Sequence, residues 1–144
     1  MAMIVNGELV DWYVKAFKGV WSEQKKELIL DTIDRMLDRY SIEAFAIKVP
    51  NAIHRHAEVQ ELHRDINFLA QQKKIKTETL SIKSLKRVFT EARNKKNLGK
   101  IAVGLYPELQ EEFTKEAANR NPYYTKLFEA VLSAHILSHD IPLN

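Results

Sequence analysis

The apolar run FAIKVP, from Phe45 to Pro50, constrains the fold of this chain more than any other segment, because it lies between two strongly helical stretches. Apolar residues on both faces are typical of a strand in a parallel sheet that helices cover on each side. Lys48 nevertheless stands near the carboxyl end of this run, which is where α/β folds usually place their functional groups. Removing an unpaired ammonium from water costs several kcal/mol. Lys48 therefore needs an acidic partner, a bound phosphate or a route to solvent.

The N-terminal residues predict a β-hairpin. Asn6 and Gly7 are the short signal of a type I′ turn, in which both central residues have positive φ. Beyond the turn, apolar and polar residues alternate, which predicts a strand with one apolar face. That face is formed by Val10, Trp12, Val14 and Ala16.

Helices alternate with strands along the rest of the chain. The sequence first predicts a helix from Ser22 to about Tyr40, a strand ending at Pro50, a helix over 52–73 and a strand over 75–82. Four helices follow, and they are predicted to begin at Ser81 or Ser84, at Asn97, at Pro107 and at Asn121-Pro122. Such alternation indicates a mostly parallel sheet with helices packed on it. We therefore expect a single α/β domain over 1–144: a mixed sheet with an antiparallel N-terminal hairpin and a C-terminal helical segment.

The composition excludes several classes of protein. The 144 residues include no cysteine, which excludes disulfides and thiolate metal sites and fits a reducing compartment. No apolar run approaches the roughly 20 residues that span a bilayer. The first residues, MAMIVNGELV, lack the basic region and long apolar core of a signal peptide. We expect a cytoplasmic protein that does not act in a membrane.

Positive charge is concentrated in one part of the chain. Residues 73–100 hold ten Lys and Arg side chains against two acidic ones, a net charge of +8, whereas the whole chain carries +3. Such segregation is expected of a surface that contacts phosphates, although a solvated lysine-rich surface has the same composition. The cations that we expect to contact phosphates are called the basic segment here, and they are Lys83, Lys86, Arg87, Arg93, Lys95, Lys96 and Lys100.

Five stretches spread over nearly the whole chain carry a further signal: GELVDWYVKAFKG, AFAIKVP, KTETLSIKSLKRVF, NKKNLGKIAVGLYPEL and KLFEAVLSAH. Together with the element order, they resemble the RuvC-type branch of the ribonuclease H-like fold, the branch of Holliday-junction resolvases. The resemblance implies a ribonuclease H-like sheet. It also implies phosphodiester hydrolysis by two Mg²⁺ ions, held by carboxylates from the first strand, the fourth strand and the final helix.

Carried over to this chain, that set of metal ligands is incomplete. Lys48 falls where the family has the glutamate of its fourth strand, and Glu129 matches the acidic residue of the last helix. Lys126 stands where many relatives have a second acid or a histidine. The Asp-bearing first strand has no counterpart, so either it is missing from this sequence or MAMIV replaces it without an aspartate. A lysine at this position would repel Mg²⁺, and its ammonium can pair with Glu129, contact a phosphate or extend to solvent.

The leading hypothesis is a catalytically degenerate RuvC-like protein that binds nucleic acid, DNA rather than RNA, through the basic segment without cleaving it. In this hypothesis Glu129 is a remnant carboxylate, no cofactor is needed, and the chain can pair as a homodimer. One alternative is an active Mg²⁺-dependent, structure-selective nuclease whose missing aspartate lies upstream or is Asp11 in a shifted register. A second alternative is a protein-interaction module whose lysines only keep it soluble.

Histidines and aromatic residues give less specific patterns. His135 and His139 share one face of the last helix, with Asp140 beside them, but no third metal ligand is specified. A polar helix face is the favoured interpretation of His54, Arg55, His56, His63 and Arg64, and a contact with nucleic acid is the alternative. Aromatic residues near basic ones suit stacking on bases, but they are more often core or interface anchors. Those residues are Trp12, Tyr13, Trp21, Tyr123 and Tyr124.

Overall fold

The computed structural model describes residues 1–51, 56–118 and 124–143. Within these ranges the chain forms four strands: β1 (Ala2–Val5), β2 (Glu8–Trp12), β3 (Ala44–Lys48) and β4 (Lys76–Leu80). It also forms six α-helices: α1 (Glu23–Arg39), α2 (Ala57–Gln72), α3 (Ile82–Val88), α4 (Lys95–Leu105), α5 (Gln110–Ala117) and α6 (Tyr124–Ser138). The predicted α/β class, the N-terminal hairpin and the C-terminal helix are confirmed.

The hairpin turns at the predicted residues. Asn6 and Gly7 have φ angles of 51° and 82°, both positive, as a type I′ turn requires. A register shift halfway along the β1–β2 pair moves the later side chains by one position, and such a shift exchanges the two faces of a strand. Leu9 is therefore buried and Val10 is exposed. The prediction of an apolar face that includes Val10 is wrong for this reason.

The pairing of the strands differs from the expected mixed sheet. In the part of the chain that the structure describes, β1 and β2 form one antiparallel sheet and β3 and β4 form a separate parallel one. The parallel register runs from Ala44 opposite Lys76 to Lys48 opposite Leu80. Each strand was predictable from its local pattern, whereas sheet assembly depends on contacts between distant segments. The described residues thus show two small sheets and no larger sheet of the ribonuclease H-like kind.

Side-chain caps fix where several helices begin. The Ser22 hydroxyl caps α1, as predicted, and Ser81 and Ser84 form a reciprocal capping box at the start of α3. Helix α4 begins after Asn94, and the prediction that Asn97 caps it is wrong. Asn94 Oδ1 accepts a hydrogen bond from the Asn97 amide, so Asn97 already lies in the first turn.

Two other helices differ in extent from the sequence prediction. Helix α3 ends at Val88 rather than continuing towards residue 96. Pro107 opens a single 3₁₀ turn, and α5 follows it directly. The predicted start of the second helix at Ala52 lies outside the described residues, as do Asn121 and Pro122.

Helix α6 organises the core. It packs against α4 and against the strands β1 and β3. Its apolar residues join those of α3 and α4 in the main cluster, which includes Leu85, Leu98, Leu127, Phe128 and Leu132. A smaller cluster around Leu37, Ala70 and Ile75 joins α1 and α2 to the start of β4. None of the helices described has the length and hydropathy required to cross a membrane.

Candidate functional site

An ion pair lies where β3 ends against α6. Lys48 Nζ is 2.9 Å from Glu129 Oε2, and the Glu129 side chain is only 1% exposed. Lys126, one turn before Glu129 on α6, places its Nζ 3.3 Å from the same oxygen. Of the three roles considered for Lys48, the structure shows the pairing with Glu129. The carboxylate therefore has two cations as partners.

Burial has the largest effect on the pKa of Lys48. Burial lowers the pKa of Lys48 below its ordinary value of 10.5, and the hydrogen bond to Glu129 opposes that shift. Glu129 uses one carboxylate oxygen for both lysines. Its other oxygen, Oε1, is buried and has no hydrogen-bond partner among the described residues. One oxygen is thus left available to a donor that the described chain does not supply.

The residues present do not fit the magnesium site that the resemblance implies. Mg²⁺ requires several oxygen ligands, since it gives up its hydration shell reluctantly. No group of three or more His, Asp or Glu side chains in the described ranges is placed to hold a metal ion. Asp11, the alternative catalytic aspartate, accepts a 2.7 Å hydrogen bond from the Tyr40 hydroxyl. Glu129 itself is engaged by Lys48 and Lys126.

The basic segment points away from the core. On α3, Leu85 is fully buried while Lys83, Lys86 and Arg87 are exposed. On α4, Leu98 is fully buried while Lys96 and Lys100 are exposed one turn apart. Arg93 is also exposed, in the connection between the two helices. The side chain of Lys95 lies outside what the structure describes.

These exposed cations have no acidic partner in the part of the chain that the structure describes. None of the six described members of the basic segment forms an ion pair with another described residue. By contrast, Lys73 begins the same charged stretch, and its Nζ lies 2.7 Å from Asp34 Oδ1. Lys76 Nζ lies 3.9 Å from Glu78 Oε1. Six exposed cations without a described ion pair thus lie together from α3 to α4, and others, such as Lys18 and Lys74, lie elsewhere.

His135 lies on α6, and His139 follows directly after the end of that helix. The Nδ1 atom of His135 lies 2.7 Å from the Tyr106 hydroxyl. Its ring centroid is 4.2 Å from that of His139. Burial, with a smaller contribution from the nearby His139, lowers the pKa of His135 below 6.5 and so favours the neutral ring. A neutral ring can accept a hydrogen bond from the Tyr106 hydroxyl at Nδ1 or, in the other tautomer, donate one to it.

The other residues of the predicted polar face are partly described. On α2, His63 Nε2 lies 3.2 Å from the Thr79 hydroxyl and 3.1 Å from the side-chain amide of Asn67. His56 and Arg64 are exposed, whereas His54 and Arg55 lie outside the described residues. These contacts join α2 to β4 and show a structural role for His63.

One polar contact was missed at the sequence level. Trp12 Nε1 donates a 2.8 Å hydrogen bond to Glu112 Oε1, which ties the hairpin to α5. The other carboxylate oxygen of Glu112 is buried without a hydrogen-bond partner among the described residues. A contact between residues 100 positions apart leaves no local pattern in a sequence. Trp12 thus acts as an anchor, whereas Tyr123 lies outside the described residues.

No protein family, no curated protein and no solved structure matches this chain.

Proposed function

We propose that this protein binds nucleic acid, duplex or branched DNA in particular, through the basic segment and does not cleave it. The observation that carries the proposal is the set of six exposed cations on and between α3 and α4 that have no acidic partner among the described residues. A cation already paired with a carboxylate must give up that contact before it can bind a phosphate. An unpaired one is available at once, and its binding releases counterions from the DNA.

The buried pair supports binding without hydrolysis. At the end of β3, Lys48 presents a positive charge where the resolvase-like interpretation needs a metal ligand. Glu129 is the acidic residue that remains, and two lysines already engage it. A single carboxylate with cationic neighbours is poorly suited to Mg²⁺.

A degenerate ribonuclease H-like architecture remains part of the proposal. In its favour, the parallel pair β3–β4 is joined through helix α2, and the C-terminal helix α6 places Glu129 at the end of β3. The separate hairpin sheet is the feature that fits least well. A cytoplasmic setting and a homodimer are also proposed on the sequence alone.

The experiment is a salt titration of binding to a fluorescent DNA duplex and to a four-way junction. Six phosphate contacts predict that the logarithm of the association constant falls as the logarithm of the salt concentration rises, with a slope whose magnitude is at most about 5. The double variant Lys86→Gln/Arg87→Gln should reduce the magnitude of that slope by about 2, since each lost contact removes about 0.9.

A matched control separates a local effect from a change in total charge. The double variant Arg35→Gln/Arg39→Gln removes the same charge from α1, where both side chains are exposed. It should leave the slope close to that of the wild type. Equal slopes for wild type and the Lys86/Arg87 variant, or equal losses in the two double variants, would remove the basic segment from the proposal.

A further inference from the structure

Strands β1 and β3 each have one edge that pairs with no other strand among the described residues. Helix α6 packs against both β1 and β3, yet these two strands do not pair with each other in the described chain. Isolated two-stranded sheets are marginally stable, and a parallel pair is usually found within a larger covered sheet. The edge of β3 that pairs with no described strand and lies over α6 is called the strand slot below.

The backbone hydrogen bonds show which groups of β3 face the slot. Glu43 O accepts from the Lys76 amide, and the Val49 amide donates to Leu80 O. Because successive residues of a strand alternate in direction, the odd-numbered residues of β3 face β4 and the even-numbered ones face away. The outward row comprises Ala44, Ala46 and Lys48, whose backbone groups have no hydrogen bond to another strand among the described residues.

Strand β1 presents a similar row of backbone groups that face away from its partner strand. Met1 and Tyr13 exchange backbone hydrogen bonds, so Met1 faces β2. Alternation then directs the amide and carbonyl groups of Ala2 and Ile4 away from β2. The side chains of Ala2 and Ile4 pack on the core cluster to which α6 contributes. Strands β1 and β3 thus offer backbone groups over the same helix that pair with no other strand among the described residues.

The partial exposure of β3 fits an edge that no other described strand covers. Its sequence is apolar on both faces, as in a covered strand, yet Ala44, Phe45, Ala46 and Ile47 are each only partly buried. An apolar strand with a free edge is a template for strand addition. A row of alternating amides and carbonyls is complementary to another extended peptide, because only a peptide backbone repeats its donors and acceptors at that spacing.

We propose that an extended segment of a partner protein inserts into the strand slot, pairs with β3, and carries an acidic side chain near Lys48. The charge at that end supports the acidic residue. Lys48 and Lys126 together face one carboxylate, Glu129, which leaves one positive charge in excess. This partner site is separate from the DNA-binding proposal and makes no use of the basic segment.

Amide hydrogen exchange on the free protein is the first test. The amides of Ala46 and Lys48 should exchange at least about tenfold faster than those of Phe45 and Ile47, which face β4. Equal protection of the two sets would overturn the proposal, because the edge would already be occupied. Protection of Ala46 and Lys48 that grows with protein concentration would also overturn it, since the occupant would then be a second copy of this chain.

A peptide titration is the second test. The probe is a nine-residue peptide of alternating threonine and valine with one aspartate, and its match has a lysine in place of the aspartate. The aspartate peptide should bind about tenfold more tightly, because the lysine peptide adds a like charge beside Lys48. Failure of both peptides to bind at millimolar concentration, or equal binding of the two, would refute the proposal.

A pair of variants at one position locates the binding. Ala46→Pro removes an amide that faces the slot and leaves the β3–β4 hydrogen bonds intact, since proline is tolerated on a free edge. Ala46→Ser keeps the amide and is the control. Ala46→Pro should weaken the binding of the aspartate peptide at least about tenfold, and Ala46→Ser should not. Equal affinities for the two variants would place the peptide elsewhere and contradict the proposal.

Discussion

Replacing Lys48 with methionine tests the buried ion pair directly. Methionine keeps most of the length of the lysine side chain and removes its charge, so the substitution isolates the interaction with Glu129. Removing one partner of a buried pair typically destabilises a protein by 3–5 kcal/mol, because a charge is left uncompensated. Glu129 is 1% exposed and cannot turn to solvent. Lys126 Nζ remains 3.3 Å away and compensates in part. We therefore expect a loss near the lower limit, about 3 kcal/mol.

Urea unfolding of a double-mutant cycle measures this effect. The four proteins are the wild type, Lys48→Met, Glu129→Leu and the double variant. Both single variants should be clearly less stable than the wild type. The double variant should recover much of the loss, since two apolar side chains of similar size leave no unpaired buried charge. The coupling free energy between the two sites should be about 2 kcal/mol.

A particular result would refute this reasoning. If Lys48→Met changes the free energy of unfolding by less than about 0.5 kcal/mol, it behaves as an ordinary surface substitution. Lys48 would then extend to solvent in the folded protein, and the pair with Glu129 would contribute nothing measurable. A coupling free energy near zero would lead to the same conclusion.

Two further predictions concern packing and pH. A Cβ atom at Gly99 would lie 3.1 Å from a ring carbon of Phe128, whereas one at Gly104 would meet nothing within 4 Å. Gly99→Ala should therefore destabilise the protein by about 1 kcal/mol, and Gly104→Ala should stabilise it by about 0.5–1 kcal/mol, both measured by thermal unfolding. Burial lowers the pKa of His135 below 6.5, so the unfolded chain binds a proton first on acidification, and stability should fall as the pH drops below 6.5. Urea unfolding between about pH 7.5 and 5.5 should show a smaller fall in His135→Gln, and an identical fall would contradict the assignment.

Local features of the fold could be predicted from the sequence. The positive φ angles at Asn6 and Gly7 and the cap at Ser22 follow from side-chain and backbone chemistry within a few residues. The cap of α4 was misplaced because Asn94 and Asn97 are both good capping residues three positions apart. The register shift in the hairpin left no signal, and it reversed the burial of Leu9 and Val10.

Of the long-range features, one was anticipated from the sequence and two were not. The proximity of Lys48 and Glu129 was among the possibilities derived from the resemblance, and the distance of 2.9 Å shows that it is realised. The separation of the strands into two sheets was not expected, because sheet order depends on tertiary contacts that no local pattern encodes. The hydrogen bond from Trp12 to Glu112 was missed for the same reason.

The most direct test of the central claim is a cleavage assay on an end-labelled four-way DNA junction, with Mg²⁺ or Mn²⁺ present. If Lys48 occupies the place of a metal ligand, the labelled strands should stay full length while the junction is retained in a protein complex at low salt. Shortened strands that appear with the wild type and disappear with Glu129→Gln would contradict the account, because Glu129 would then be acting at a metal centre.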